Sequence, residues 1–282
     1  MEIIRTVEEM RSRSRELRGE GTVVGLVPTM GYLHEGHLNL VRIALELAEF
    51  TVVSVFVNPT QFGPSEDLDR YPRDLDRDAG LLDGMGADLV FAPEAEDMYP
   101  EGFATSVHVA GMGEGLCGAY RPGHFDGVCT VVAKLFEIVR PNLAVFGQKD
   151  GQQAAIIERM VADLNMDLEI VRGPTVREHD GLAMSSRNSY LSEEERRQAP
   201  VLHESLERAR ERFEAGETDA GRVLGEIRSM IESKPAAAVQ YVAAVDWKTL
   251  EERERLVPGT MIALAVCFGK TRLIDNVVLG AV

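Results

Sequence analysis

The strongest constraint on the fold is an alternation of short β-branched runs with helical patterns through the first two-thirds of the chain. Strands separated by helices pair in parallel, so this order predicts a Rossmann-like α/β fold, a parallel sheet with helices on both faces. Ligands of such sheets bind beyond the carboxyl ends of the strands, which draws attention to the loops after Val27, Val57 and Phe146. The predicted strands are residues 23–27, 51–57, 87–91, 143–146 and 168–171. The predicted helices are residues 38–48, 128–139 and 152–164.

The composition changes near Asn188, where a more highly charged region begins. Ser192 followed by three glutamates is typical of a helix start and predicts a charged helix over residues 192–215. A second helix over residues 219–233 and three later strands complete a smaller α+β region. We therefore predict a Rossmann-like domain over residues 1–187 and a smaller α+β domain over residues 188–282. The later strands are residues 239–245, 261–268 and 273–279.

The charge balance and the cysteine usage exclude several functional classes. The chain has 282 residues and a formal net charge of -16, and an acidic surface of this kind repels nucleic-acid phosphates. The three cysteines form no CxxC pair, which fits a reducing cytoplasm better than a disulfide framework. The amino terminus lacks the apolar core of a signal peptide, and no apolar run approaches the ~20 residues that span a bilayer. We expect a cytoplasmic protein that binds neither nucleic acid nor membrane.

Two segments match known signatures by letter only. Residues 113–118 read GxGxxG, but a dinucleotide site requires a helix to begin there, and Pro122-Gly123 follow almost at once. We expect a flexible glycine loop. Residues 34–37, His-Glu-Gly-His, are one residue shorter than HExxH and have no obvious third ligand, so zinc is not expected. A GxxxxGK[ST] phosphate loop is absent from the sequence.

The same histidine segment has a better interpretation as a phosphate site. It lies where a predicted strand leads into a predicted helix, and the i,i+3 spacing of His34 and His37 projects both rings from one face of the first helical turn. The N–H groups of a helix start add positive potential, so two imidazoles there are suited to a polyphosphate. The alternative is that one histidine caps the helix and the other packs.

Five segments together resemble a known family. Residues 34–37 resemble the HIGH-type signature of the nucleotidylyltransferase superfamily, and the string from Pro28 to His37 resembles its version in the pantothenate synthetase family. Four further segments match that family in order, and the resemblance covers nearly all of residues 20–190 but is weaker in the C-terminal third. These segments are Val57-Asn58-Pro59-Thr60-Gln61-Phe62-Gly63, Arg121-Pro122-Gly123-His124-Phe125, Phe146-Gly147-Gln148-Lys149-Asp150 with Gln152-Gln153, and Met184-Ser185-Ser186-Arg187-Asn188.

The resemblance implies an activity. The family condenses (R)-pantoate with β-alanine to pantothenate through a pantoyl-adenylate, and it consumes ATP with Mg²⁺ and releases AMP and pyrophosphate. It also implies a homodimer. We further expect the first domain to bind ATP and pantoate and the C-terminal domain to act as a lid. Two alternatives stay open: another HxGH-type nucleotidylyltransferase acting on a different small substrate, and a regulatory nucleotide-binding module with an inactive site.

The resemblance also implies site residues, position by position. The catalytic residues that stabilise charge on the phosphates are His37, His34, Lys149 and Arg187. Those that bind pantoate or β-alanine are Gln61, Gln153 and Asn58. The ATP-binding residues are Met30, Gly31, Tyr32, Leu33, His34, Glu35, Gly36, His37, Gly147, Gln148, Lys149, Asp150, Val176, Met184, Ser185, Ser186 and Arg187.

The chemistry of the residues supports several of these roles. Asn58 and Gln61 offer neutral amides, which bind a small hydroxy acid without reducing the nucleophilicity of its carboxylate. Lys149 follows a predicted strand and is a mobile point charge suited to phosphate oxygens. Residues 184–187 combine hydroxyls, backbone amides and one cation that suit a departing pyrophosphate, although a serine-rich linker explains the serines equally.

Metal ligands are not identified by the sequence. Asp76 and Asp78 are candidates, and a solvated helix face explains them equally well. Residues 63–73, which are rich in charge and proline, are the candidate lid, because a reactive adenylate must be kept from water.

Overall fold

The computed structural model describes residues 1–64, 66 and 68–280, which divide into two compact units. The first unit contains Met1–Gly147 and Ile156–Gly173, and the second contains Gln148–Ala155 and Pro174–Val282. Residues 174–187 thus pack with the second unit, although the boundary predicted from sequence assigns them to the first domain. The predicted division into two domains at residue 187 stays a prediction.

The first unit is built on a six-stranded sheet in which every hydrogen-bonded pair of strands is parallel. Its strands are β1 (Glu2–Ile4), β2 (Val24–Thr29), β3 (Phe50–Val55), β4 (Leu89–Phe91), β5 (Leu143–Gly147) and β6 (Glu169–Gly173). They lie in the order β1-β4-β3-β2-β5-β6, so β2 and β3 are central. The predicted parallel α/β sheet is confirmed. Strand β1 was not predicted, because three residues are too few to show a periodic pattern.

Helices connect these strands, and most begin or end at recognisable caps. Thr6 and Asp74 accept hydrogen bonds from the first turns of α1 and α3, and Gly21 and Gly86 end the same helices in the left-handed conformation. Neither helix was predicted, since few of their residues are buried. The helices are α1 (Val7–Glu20), α2 (Glu35–Leu47), α3 (Leu75–Met85), α4 (Ala95–Met98), α5 (Cys117–Tyr120), α6 (His124–Val139) and α7 (Gly151–Asp163).

The single turn of α5 corrects the expectation of a plain glycine loop at residues 113–118, although it is too short to form a dinucleotide site. Among residues 1–64, 66 and 68–280, no helix is long and apolar enough to cross a membrane.

The inner strands β2, β3, β4 and β5 of the parallel sheet are buried on both faces. Val27, Val53 and Val90 lie on one face together with apolar side chains of α2 and α3. Helix α6 contacts β2 and packs against α1, where the buried Ser14 hydroxyl donates a hydrogen bond to the Ile138 carbonyl. Strands covered on both faces lack the polar alternation of a half-exposed sheet, which is why they appear in the sequence as continuous apolar runs.

The second unit contains an antiparallel sheet of β7 (Ala237–Asp246), β8 (Thr260–Phe268) and β9 (Thr271–Val278), with β8 in the centre. Its helices are α8 (Glu193–Gln198), α9 (Val201–Glu214) and α10 (Ala220–Glu232). Apolar residues of α9, α10 and the sheet form one core. The predicted α+β region is confirmed, but the single helix predicted over residues 192–215 is wrong. Pro200 separates α8 from α9, because proline lacks the N–H that a continuous helix requires.

Helix α6 approaches the turn that follows β3 very closely at Gly127. A β-carbon at Gly127 would lie 2.4 Å from the Thr60 carbonyl oxygen and 2.7 Å from the Gln61 nitrogen. Both are backbone atoms, so no change of rotamer relieves the overlap. The missing side chain therefore allows the turn Pro59–Gln61 to rest on α6.

We expect Gly127→Ala to lower the melting temperature, because relief of the overlap must displace either the helix or the turn, at a cost of about 1–3 kcal/mol. Thermal unfolding followed by circular dichroism measures the effect. Gly225→Ala on α10 is the matched control, since a β-carbon there meets nothing within 4 Å and alanine favours a helix. A Gly127→Ala protein as stable as the Gly225→Ala protein would contradict this account of the contact.

Candidate active site

The first turn of α2 carries both histidines of the predicted phosphate site. His34 is the N-cap, and its Nδ1 accepts a hydrogen bond from the Gly36 N–H at 3.1 Å. Nδ1 of His37 accepts from the His34 N–H at 3.3 Å, which completes a reciprocal capping box. The ring centroids are 4.0 Å apart and the planes are tilted by 30°. Both rings therefore cap the helix, and both lie side by side.

This geometry determines which ring nitrogen carries the proton. An Nδ1 that accepts from a backbone N–H has no proton of its own, so a neutral ring carries its proton on Nε2. His34 and His37 each present an Nε2–H as a donor. A pair of adjacent N–H donors is suited to phosphate oxygens.

The backbone ahead of the histidines bends through two successive left-handed residues, Gly31 with φ of 79° and Tyr32 with φ of 52°. N–H groups in a bend of this type form a concavity that binds anions. The carboxylate of Asp78 occupies it and accepts from the Tyr32 N–H at 2.6 Å and the Leu33 N–H at 2.8 Å. An internal anion thus holds the loop in shape.

Helix α3 contributes both Asp78 and its neighbour Arg77 to this loop. Arg77 donates to the Leu33 carbonyl at 2.9 Å, and its guanidinium lies 5.0 Å from the centre of the Tyr32 ring. Burial raises the pKa of the Asp78 carboxyl above its usual value, while the N–H bonds from Leu33 and Tyr32 and the charge of Arg77 act in the opposite direction. The two side chains together fix the backbone that leads to the histidines.

These contacts correct one expectation about Asp78. A solvated helix face is wrong for it, because its side chain is completely buried, with both oxygens bound to protein donors. Asp76 is exposed. In the part of the chain that the structure describes, no group of three or more His, Cys, Asp or Glu side chains is placed to hold a metal ion.

Asn58 connects the turn after β3 to the rest of the first unit. It is buried, and its Nδ2 donates to Gln61 Oε1 at 3.0 Å and to the Gly127 carbonyl at 3.1 Å. Gln61 Nε2 in turn donates to Met30 Sδ at 3.1 Å. The structure therefore brings together Met30, Asn58 and Gln61, three of the predicted site residues. Asn58 supports Gln61, and Gln61 is the partly exposed member of the pair.

Arg121 and His124, for which no role was predicted, hold the backbone of Gln61. Nε2 of His124 accepts from Arg121 at 2.9 Å, so its Nδ1 carries the proton and donates to the Gln61 carbonyl at 2.7 Å. Arg121 also pairs with both carboxylate oxygens of Glu66, at 2.6 and 2.5 Å. Burial alone would raise the pKa of Glu66, but the bonds with Arg121 hold it below its usual value.

Glu66 lies within residues 63–73, the predicted lid, and its ion pair with Arg121 fixes this segment to the turn before α6. Tyr71 of the same segment is buried and packs on Phe62, with ring centroids 5.9 Å apart. Ser65 and Asp67, which belong to the same segment, lie outside the described residues. Closure of a lid here stays a prediction.

In the second unit, Asn276 of β9 holds the turn that carries Lys149. Asn276 Nδ2 donates to the carbonyls of Gln148 and Lys149, both at 2.9 Å, and its Oδ1 accepts from Gln148 Nε2 at 2.9 Å. The turn Gln148–Asp150 is a single 3-10 turn that continues into α7, where Gln153 is partly exposed. A buried amide thus fixes the backbone of the predicted phosphate-binding lysine.

The loop before Arg187 is a structured hairpin. The Met184 N–H donates to the Val176 carbonyl at 3.0 Å, and Gly181, with φ of 89°, lies in the turn. Ser185 Oγ accepts from the Arg187 N–H at 3.3 Å and begins the 3-10 helix Ser186–Tyr190. A plain serine-rich linker does not explain these bonds.

Two further arginines anchor this hairpin within the second unit. Arg177 binds both carboxylate oxygens of the buried Asp275, at 2.6 and 3.1 Å. Arg196 binds Glu178 at 2.6 Å and Asp180 at 2.5 Å, and it lowers the pKa of Asp180 below its usual value. Charged pairs of this kind hold a loop firmly when several of them converge.

The residues that sequence reasoning missed are those that support the assigned loops within each unit: Asp78 and His124 in the first, Asn276 and Arg196 in the second. His124 lay in a motif that matched the family, which was a usable signal. The sequence offers Asp78 only as a metal ligand or as part of a solvated helix face. Asn276 and Arg196 lie in the C-terminal third, where the resemblance is weaker.

The fold and these loops define the class of the protein. A parallel α/β sheet with an HxGH turn after a central strand, in a chain that also carries a lysine turn and a serine–arginine loop, is typical of enzymes that activate substrates with a nucleotide.

Comparison with known proteins identifies the family. The family model described as pantoate-beta-alanine ligase matches residues 2–278. The pantothenate synthetase of Pelotomaculum thermopropionicum is 55% identical over 280 residues, 99% of each chain. The crystal structure of pantothenate synthetase from Thermus thermophilus has a TM-score of 0.93 and 48% identity, over 98% of this chain and 99% of that one.

A third relative was solved with ligands. The pantoate-beta-alanine ligase of Francisella tularensis, complexed with beta-gamma ATP and beta-alanine, has a TM-score of 0.81 and 33% identity, over 99% of this chain and 97% of that one. With full-length matches of this similarity, the chain belongs to the pantoate–β-alanine ligase family.

The contacts of Asp78 lead to a prediction. We expect Asp78→Asn to lower both the melting temperature and kcat/KM for ATP, because an amide nitrogen would face backbone N–H groups and leave one unpaired, at about 1–3 kcal/mol. Steady-state kinetics and thermal unfolding measure the two effects. The loss should persist at every Mg²⁺ concentration, and Asp76→Asn should behave like the wild type. Recovery of either variant by added Mg²⁺ would instead support metal binding by these aspartates.

Proposed function

We propose that this enzyme condenses (R)-pantoate with β-alanine to pantothenate, and that it consumes ATP and releases AMP and pyrophosphate. The observation that carries the proposal is the HxGH capping box of α2 in a chain that matches pantothenate synthetases over its full length. In the first step a pantoate carboxylate oxygen attacks the α-phosphorus of ATP. The bond to the β-phosphate oxygen breaks, and pyrophosphate leaves with its electron pair.

The charge that develops on the phosphates needs donors and cations. The Nε2–H groups of His34 and His37 donate to phosphate oxygens, and the preorganised capping box holds the rings without reorganisation during the reaction. Lys149 supplies a point charge. Ser186 and Arg187, which follow the hairpin between Val176 and Met184, bind the departing pyrophosphate.

The remaining ATP contacts come from the backbone and from smaller side chains. Val176, whose carbonyl accepts from the Met184 N–H, contacts adenine through its main chain, as the family resemblance implies. Asp150 binds the ribose. The other assigned ATP-binding residues are Met30, Gly31, Tyr32, Leu33, Glu35, Gly36, Gly147, Gln148, Met184 and Ser185.

Pantoate is bound by Gln61 and Gln153, with Asn58 acting through Gln61. Neutral amides hold the hydroxy acid and leave its carboxylate nucleophilic. In the second step the β-alanine amine attacks the acyl carbon of the adenylate, AMP leaves, and the amide forms after loss of a proton. Water must be excluded during this interval, and residues 63–73 are the segment that we assign to that role.

We assign Mg²⁺ to the substrate rather than to a protein cage. No described group of acidic or histidine side chains is arranged to hold a metal alone, which fits an ion that arrives bound to ATP phosphates and water. The ion supplies charge neutralisation on those phosphates. We further propose a homodimer and a cytoplasmic location; the cysteine usage and the family resemblance support them.

The experiment is to incubate the protein with ATP, Mg²⁺, D-pantoate and β-alanine and to measure AMP and pantothenate. We expect His37→Ala and Lys149→Ala to reduce pyrophosphate release by about 10²–10³-fold, roughly 3–4 kcal/mol of transition-state stabilisation. Gln61→Ala should instead raise mainly the KM for pantoate. Wild-type turnover in either charge variant would refute the assigned role, and a wild type that forms no pantothenate would refute the function.

A further inference from the structure

Tyr99, a residue outside the assigned site, belongs to a directional chain of hydrogen bonds that ends at Gln61. Its hydroxyl donates to Asn58 Oδ1 at 2.8 Å. The Thr60 hydroxyl at 2.9 Å and the Thr60 N–H at 3.3 Å lie against the same oxygen. Three donors therefore surround one end of the buried Asn58 amide.

The other end of that amide faces two acceptors. Asn58 Nδ2 lies 3.1 Å from the Gly127 carbonyl oxygen, which has no proton to offer, and 3.0 Å from Gln61 Oε1. A flipped Asn58 would place its oxygen against the Gly127 carbonyl and its NH₂ against the Thr60 N–H. Since both contacts would be unfavourable, the orientation of Asn58 is determined by its surroundings.

The orientation of Gln61 follows from that of Asn58. Because Asn58 donates an N–H to Gln61, the Gln61 side chain must turn its oxygen towards Asn58. The NH₂ group of Gln61 then points away from Asn58. That group now contacts Met30 Sδ at 3.1 Å. A thioether is a weak acceptor, so an oxygen acceptor of a ligand replaces it favourably.

We propose that Tyr99 is a positioning residue that acts through Asn58 to fix Gln61 as a hydrogen-bond donor to an oxygen of the hydroxy-acid substrate. The inference rests on the proposed function, because Gln61 is assigned to pantoate there. It adds a direction to the hydrogen bond between Gln61 and the substrate. Gln61 favours a substrate with an acceptor oxygen next to its NH₂ group and disfavours a substrate with a donor there.

Tyr99 is itself well supported for this role. Its ring packs edge-on against Phe103 with centroids 5.1 Å apart, and the ring of Phe56 lies 6.3 Å away. The ammonium of Lys134 lies 5.7 Å from the Tyr99 ring centre. Burial raises the pKa of the Tyr99 hydroxyl above its usual value, although the bond with Thr60 opposes this, so the group remains a donor.

The test is Tyr99→Phe, which removes one oxygen and keeps the ring. We expect the KM for pantoate to rise about threefold to tenfold, with the KM for ATP unchanged within about twofold. Thr60→Val removes a second donor to the same oxygen and should act in the same direction, so the proposal stays testable if one variant folds poorly. Phe103→Leu is the matched control, because it disturbs the packing of the ring but leaves the hydroxyl.

A double-mutant cycle separates positioning from general destabilisation. If Tyr99 acts through Gln61, then Tyr99→Phe should have no further effect on the pantoate KM in a Gln61→Ala background. An unchanged pantoate KM in Tyr99→Phe would overturn the proposal. An equal rise in the KM for ATP in Tyr99→Phe would also overturn it. The same holds if Tyr99→Phe still raises the pantoate KM in the Gln61→Ala background, or if Phe103→Leu raises the pantoate KM as much as Tyr99→Phe does. Pantothenate synthesis by the wild type distinguishes each of these results from a failure of the proposed function.

Discussion

The candidate site depends on the buried carboxylate of Asp78, which occupies an anion-binding concavity of the backbone at residues 31–33. The left-handed bend at Gly31 and Tyr32 aims backbone N–H groups inwards, and such a bend is unfavourable for tyrosine unless its surroundings hold it. Asp78 fills the concavity with two short hydrogen bonds. Because the bend leads directly into the first turn of α2, the placement of His34 and His37 follows from one interaction between a loop and a neighbouring helix.

The same arrangement recurs at the other assigned loops. Asn58 holds Gln61, His124 holds the Gln61 carbonyl, Asn276 holds the backbone of Lys149, and Arg177 and Arg196 anchor the hairpin before Arg187. Asn58, His124 and Asn276 act on a carbonyl or amide of the loop that they hold, whereas Arg177 and Arg196 act through carboxylates that face the hairpin. Several side chains assigned to substrates also hold their own loops, since His34 and His37 cap α2 through Nδ1. Sites supported in this way keep their geometry when a ligand leaves.

Sequence separation explains which of these features could be predicted. The sheet was predictable because buried parallel strands are local apolar runs, and the histidine pair was predictable because its i,i+3 spacing lies within one helical turn. Tyr99 lies 41 residues from Asn58, Asp78 lies 46 residues from Tyr32, and Asn276 lies 128 residues from Gln148. No periodic pattern links such pairs, since they meet only after the strands and helices have packed. Over residues 192–215 the local signals are misleading. The charge pattern and the capping box predict one continuous helix, but Pro200 divides it into two.

The capping box gives each histidine a fixed donor direction. Each ring uses Nδ1 to accept a backbone hydrogen bond at the start of α2, so Nε2 is the ring nitrogen that donates. Two donors fixed in this way orient a phosphate oxygen, and the N–H groups of the helix start add partial positive charge. In a chain with a net charge of -16, we assign the remaining attraction of the triphosphate to the cationic side chains Lys149 and Arg187 and to the Mg²⁺ that accompanies ATP.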